Sequence, residues 1–203
     1  IFVEAILAFN CIVGDYYIFD SDSLISLINK YCGLSQRLVR ALLDNGSHAF
    51  IGFLSWFLIS YPNLSFKEMV LCAFLSSLID LDHFISAKST KLIDAISLNQ
   101  RPFLHNSLTL LLVNLAISGL FLYIDPNQQK FSLLIFIAWF SHHIRDANRR
   151  GMWFGKIYTT KPLNDSIYIG IILIFPLIIR LFLSNNSNVF QKIFNFFNIV
   201  SSN

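Results

Sequence analysis

Residues 103–124 (FLHNSLTLLLVNLAISGLFLYI) contain no aspartate, glutamate, lysine or arginine. A stretch of this length and polarity matches the ~20 residues that a helix needs to cross a hydrocarbon core. Inside a bilayer every backbone polar group needs a partner, which leaves only helices or closed barrels. Five further apolar stretches surround this one. They cover residues 1–19, about 46–61, about 66–85, about 131–144 and 166–183, the last with Pro176 and Arg180 inside it.

Composition agrees with the pattern. Hydrophobic residues make up 55% of the chain, charged residues 13%, and there are 21 phenylalanines. Soluble domains carry about 25% charged residues. The expected fold is therefore all-α, a multi-pass transmembrane helical bundle of about six membrane helices. Residues 1–183 form the single transmembrane domain, and residues 184–203 form a polar, amphipathic tail that lies along the membrane surface. The lipid bilayer is the first partner. The net charge of +3 does not by itself imply a nucleic-acid partner. Cys11, Cys32 and Cys72 are far apart and odd in number, so they read as packing residues or free thiols. The second, third and fifth stretches reach membrane length only with their polar ends included. A bundle with a polar site at one membrane face would look like this.

The polar ends hold all five histidines. The clusters are Asp44-Asn45-Gly46-Ser47-His48, Asp80-Leu81-Asp82-His83, Arg101-Pro102-Phe103-Leu104-His105 and Ser141-His142-His143-Ile144-Arg145-Asp146. Ionisable residues in membrane segments are costly and seldom idle. Alternating the six stretches across a bilayer brings all four clusters to the side that carries the 20–42 loop. Most lysines and arginines also fall in the loops of that side, which makes it cytoplasmic by the positive-inside rule.

Spacing adds detail. Asp44 and His48 are four apart, as are His142 and Asp146, while Asp80 and His83 are three apart, so each pair shares a helical face. Imidazoles and carboxylates from several helices are how bundles build metal sites. The mixture suits Zn, Mn or Fe better than Ca or Mg. The candidate ligands are His48, Asp82, His83, His105 and His142, with Asp80 and Asp146 as ligands or as orienters of histidine. Arg101 and Arg145 suit a phosphate or carboxylate, since a guanidinium grips either with two hydrogen bonds. Plainer readings exist for each cluster taken alone. Asp44-Asn45-Gly46-Ser47 also resembles turn and helix-cap chemistry. His143 cannot share the face of His142 and reads as a bystander. The arginines after Asp146 also fit a topology signal or contacts with anionic lipid heads.

The four clusters, followed by Gly151-Met152-Trp153, resemble the eukaryotic transmembrane protein 267 family in motif order and spacing over most of residues 1–165. A more distant resemblance is to bacterial predicted membrane-bound metal-dependent hydrolases. Their pattern has an early His, then Pro-Asp-x-Asp-His, His-Arg-Gly-x-Thr-His-Ser and Ser-His-x-x-x-Asp. His48 stands for the early His. Asp80, Asp82 and His83 match the second motif, with Ile79 for its Pro. Arg101 and His105 match the third, and Ser141, His142 and Asp146 match the fourth. Gln100, Pro102 and Leu104 replace the first His, the Gly and the Thr of the third motif, so one ligand of that pattern is missing here.

This resemblance implies a divalent-metal hydrolase acting on a phosphoester-type or lipid-like substrate, with Asp80, Arg101, Arg145 and Asp146 as catalytic residues beside the metal ligands. The alternative is a non-catalytic membrane scaffold, or a degenerate hydrolase whose polar clusters are structural. A transporter is disfavoured because the ionisable residues gather at helix ends rather than helix middles.

Overall fold

The computed structural model describes residues 2–15, 22–125 and 128–185. Among the described residues the fold is all-helical, with no strand beyond an isolated bridge between Trp153 and Thr159. Helix α1 covers Phe2–Asp15, α2 Asp22–Cys32, α3 Gln36–Ser60, α4 Phe66–Leu78, α5 Leu81–Ala87 and α6 Leu92–Ile96. A 3-10 turn at Phe103–His105 leads into α7, Ser107–Ile124. Helices α8 (Gln129–Arg150) and α9 (Asp165–Asn185) follow. Among the described residues the six apolar stretches are helical, the one at about 66–85 being divided between α4 and α5. The expected tail lies outside the described residues beyond Asn185.

The apolar and polar helices divide the work. Three helical segments are long and apolar enough to cross a membrane: Phe66–Ala87, Ser107–Ile124 and Asp165–Ser184. Phe2–Val13 is apolar but shorter. These segments expose large side chains such as Phe74, Leu112, Leu115, Ile174 and Leu181, a pattern suited to lipid contact. Helices α3 and α8 lie between them and carry most of the polar site. One core cluster joins Leu7 and Cys11 of α1, Ile51, Leu54 and Leu58 of α3, Ile144 of α8, and Tyr168 and Ile172 of α9. A second joins Trp56 and Ile59 of α3, Met69 and Cys72 of α4, and Leu134, Ile137 and Ala138 of α8. Cys11, Cys32 and Cys72 form no disulfide, and Cys32 is exposed.

Two sequence expectations change. The 20–42 segment is not simply a polar loop, because it contains α2 and the first turns of α3. Ser35 caps α3, accepting a hydrogen bond from the Leu38 amide at 3.3 Å. Asp44-Asn45-Gly46-Ser47 is not a turn but the interior of that helix. The reason is that its polar side chains have tertiary partners: Asn45 accepts from Ser77 of α4, and Asp44 accepts from Arg145 and Arg149 of α8.

Gly52 sets the closest approach of α3 and α4. A Cβ there would lie 2.9 Å from the Ser76 Cβ and 3.2 Å from the Cys72 carbonyl oxygen. Ser76 donates its hydroxyl to the His48 carbonyl at 3.0 Å across the same contact. Helix α4 ends at Leu78, and a turn at Ile79 and Asp80, both right-handed helical in conformation, leads into α5. It sets Asp80 against Nε2 and Asp82 against Nδ1 of His105.

Candidate metal centre

The four clusters converge. Nε2 of His105 lies 3.2 Å from Nε2 of His142. Oδ1 of Asp80 lies 3.4 Å from the first nitrogen and 3.7 Å from the second. Oδ2 of Asp146 lies 3.5 Å from the first and 3.8 Å from the second. Three elements supply these atoms: the turn before α5, the 3-10 turn before α7, and the last turns of α8.

The other ring nitrogens fix the tautomers. Nδ1 of His142 is 2.9 Å from the Ser76 carbonyl oxygen, which can only accept, so Nδ1 donates. Nδ1 of His105 lies 3.2 Å and 3.3 Å from the two oxygens of Asp82, and it donates there. Asp82 is fully buried and held in turn by the Leu104 amide at 2.8 Å. In the neutral form of each ring Nε2 then presents a lone pair, so that two imidazole lone pairs and two carboxylate oxygens converge. Such an arrangement is repulsive until a cation enters, either a proton or a metal ion.

The spacing fits a metal. Zinc binds His and Asp with bonds of about 2.0–2.2 Å, so the edge of a tetrahedron of ligands is roughly 3.3–3.6 Å. The five separations that involve an imidazole nitrogen, 3.2 to 3.8 Å, bracket that value. Three overlapping groups of potential ligands result: Asp80 with His105 and His142, His48 with His142 and Asp146, and Asp82 and His83 with His105.

His48 is buried and stacks on His142 with ring centroids 3.8 Å apart. Its Nε2 lies 3.5 Å from Asp146 and 3.9 Å from Asp44. That same nitrogen accepts from Nη1 of Arg145 at 3.1 Å. His83 donates from Nδ1 to the Ala95 carbonyl at 3.1 Å and packs edge-on to His105. His143 is tied to the Leu104 carbonyl at 2.8 Å and the Ser107 hydroxyl at 3.2 Å, which braces the 3-10 turn against α8.

The arginines take different positions. Arg145 is buried and pairs with Asp44 as well as His48, facing inward. Arg149 bridges Asp44 and Asp146, reaching Asp146 at 2.8 Å. Arg101 donates to the carbonyls of Arg150 and Gly151, capping the end of α8. Partial burial, with Arg150 beside it, holds the Arg101 guanidinium below its ordinary pKa. Gly151 has a φ of +72°, and a Cβ there would fall 2.0 Å from the Thr160 carbonyl oxygen.

Sequence reasoning picked out most of these side chains but missed two groups. The Ser76, Ala95 and Leu104 carbonyls leave no trace in composition or motif. Arg149 and Arg150 were visible as a basic run, and that signal also fits topology alone.

A helical bundle with apolar outer helices and an interior cluster of His, Asp and Arg side chains is an integral membrane protein built around a polar site. The chain belongs to the YdjM inner membrane protein family, whose model matches residues 43–199, and with it to the transmembrane protein 267 family. It is 37% identical to transmembrane protein 267 of Mus musculus over 73% of this chain and 77% of that one. The Bos taurus protein of the same name is 34% identical with the same coverage. The Danio rerio protein is 33% identical over 87% of this chain and 77% of its own length. No solved structure matches the chain.

Proposed function

We propose that the cluster binds one divalent metal ion and that the protein is a membrane-embedded hydrolase of a phosphoester-type bond. The carrying observation is the convergence of two imidazole nitrogens and two carboxylate oxygens, the Nε2 atoms of His105 and His142 each lying within 3.8 Å of both Asp80 and Asp146. His105, His142, Asp80 and Asp146 would hold the ion. When bound, such an ion lowers the pKa of a water and so supplies a hydroxide near neutral pH.

The surrounding residues have matching roles. Asp82 and the Ser76 carbonyl orient the two histidines, the arrangement usual behind metal-bound imidazoles. Charge favours a single divalent ion. The carboxylates of Asp44, Asp80, Asp82 and Asp146 carry four negative charges, and Arg145 and Arg149 supply two positive ones. A divalent ion held by neutral histidines would offset the remaining negative charge of these six side chains. His83 lines the space beside Asp80 and Asp146. With Nδ1 donating to Ala95, its Nε2 would present a lone pair to that space and accept a proton from an attacking water. The loops around the site carry most of the basic residues, which supports a cytoplasmic position.

A second reading keeps the metal and removes the chemistry. Arg145 occupies the Nε2 acceptor of His48, and Gln100 stands where the bacterial pattern has a histidine. Both features suit a protein that retains the ion for stability. Hydrolysis of a phosphate-ester panel by the detergent-purified protein separates the two readings. The hydrolase reading predicts turnover that chelation abolishes, metal restores and Asp80→Asn lacks. No turnover by folded, metal-loaded protein across the panel would favour the structural role.

A further inference from the structure

We propose that the cavity beside the centre binds an amphiphile carrying a phosphate group, an assignment that rests on the proposed centre for its functional meaning. The cavity has a volume of about 490 Å³, a size typical of small-molecule sites. Asp80, Asp146 and His83 form part of its lining, so it reaches the cluster directly. Its walls differ in kind. Five arginines line it, including Arg37 from α3 and Arg149 and Arg150 from α8. Phe84, Leu92 and Ile96 from α5 and α6 give it an apolar surface.

Each wall fits one part of the same ligand. Guanidinium groups match the geometry and charge of a phosphate. Free phosphate has nothing to place against Phe84, Leu92 and Ile96, whereas an acyl or prenyl chain does. The short segment that supplies the apolar wall also exposes Ile85, Ile93 and Ile96, with Ile85 66% exposed. Apolar side chains at the edge of a helical membrane protein suit the lipid interface, from which a chain-bearing ligand would enter. The arginines are not spent on acidic partners alone, because Arg37 and Arg150 stand exposed at the rim.

The test uses the full chain in neutral detergent and calorimetric titration with three probes. These are short-chain phosphatidic acid, phosphatidylcholine of the same chain length, and inorganic phosphate. Each is run on chelated and on zinc-supplemented protein. In at least one of the two forms, phosphatidic acid should bind about tenfold or more tighter than either other probe. Arg37→Gln/Arg150→Gln should remove most of that preference, and Ile96→Gln should weaken phosphatidic acid but not inorganic phosphate. Both substituted regions are exposed, so folding is expected to survive, and circular dichroism checks it. Equal binding of the two lipids in both protein forms would overturn the assignment. Inorganic phosphate binding as tightly as phosphatidic acid, or an unchanged arginine variant, would also overturn it. A preference that persists in protein unable to take up metal supports the cavity and contradicts only the metal centre.

Discussion

Arg145 donates from Nη1 to Nε2 of His48, 3.1 Å away, while the same guanidinium pairs with Asp44 one helical turn before that histidine. The only acceptor of a neutral His48 ring is thereby taken, and its Nδ1 is left buried without a hydrogen-bond partner. A fixed protein cation thus stands beside the cluster, where a second metal ion would otherwise find His48, Asp44 and Asp146.

Removing that cation should be costly. Arg145→Met leaves Asp44 partly buried with only Arg149 to balance it. Breaking a buried pair by deleting one partner typically costs about 3–5 kcal/mol. Thermal unfolding in detergent should show a large fall in Tm, and Asp44→Asn added to Arg145→Met should recover part of it. An Arg145→Met protein as stable as wild type would show that the pair contributes little.

Asp82 is expected to act through His105. Asp82→Asn keeps the shape but weakens the hold on Nδ1, and loss of such a partner usually costs 10–100-fold in metal affinity, roughly. Competition with a metal-binding dye measures this. Ser77→Ala, whose hydroxyl serves only the Asn45 amide among its observed contacts, is the matched control and should change affinity little.

Gly52 links packing to the site. Gly52→Val puts side-chain atoms where Ser76 and Cys72 already stand, and overpacking of this kind costs about 1–3 kcal/mol. Moving α4 away also moves the Ser76 carbonyl that orients His142. The variant should therefore lose both Tm and metal affinity, whereas Gly119→Ala, with open space around it, should lose neither.

Much of this was legible in the sequence. Apolar runs located the helices, because lipid-facing positions tolerate few charges and so leave a strong signal. Alternation across the bilayer brings the clusters that hold His48, Asp80, Asp82, His105, His142 and Asp146 to one membrane face from the sequence alone. Helix length was less legible. Helices α3 and α8 run well past their apolar stretches because Asp44, Asn45, Arg145 and Arg149 find partners inside the bundle. Individual roles were not legible at all. Whether an aspartate faces Nε2 or Nδ1 of a histidine depends on the turn at Ile79-Asp80 and on carbonyls such as Ser76, which no motif encodes.

His105, His142, Asp80 and Asp146 are proposed to surround one divalent ion. Elemental mass spectrometry of the detergent-purified protein, beside an Asp80→Asn/His142→Ala variant, tests it most directly. The prediction is close to one equivalent of Zn, Mn or Fe per chain in the wild type and little in the variant. Folded wild-type protein that holds no metal, even after resupply, would contradict the account and leave a protonated polar cluster in its place.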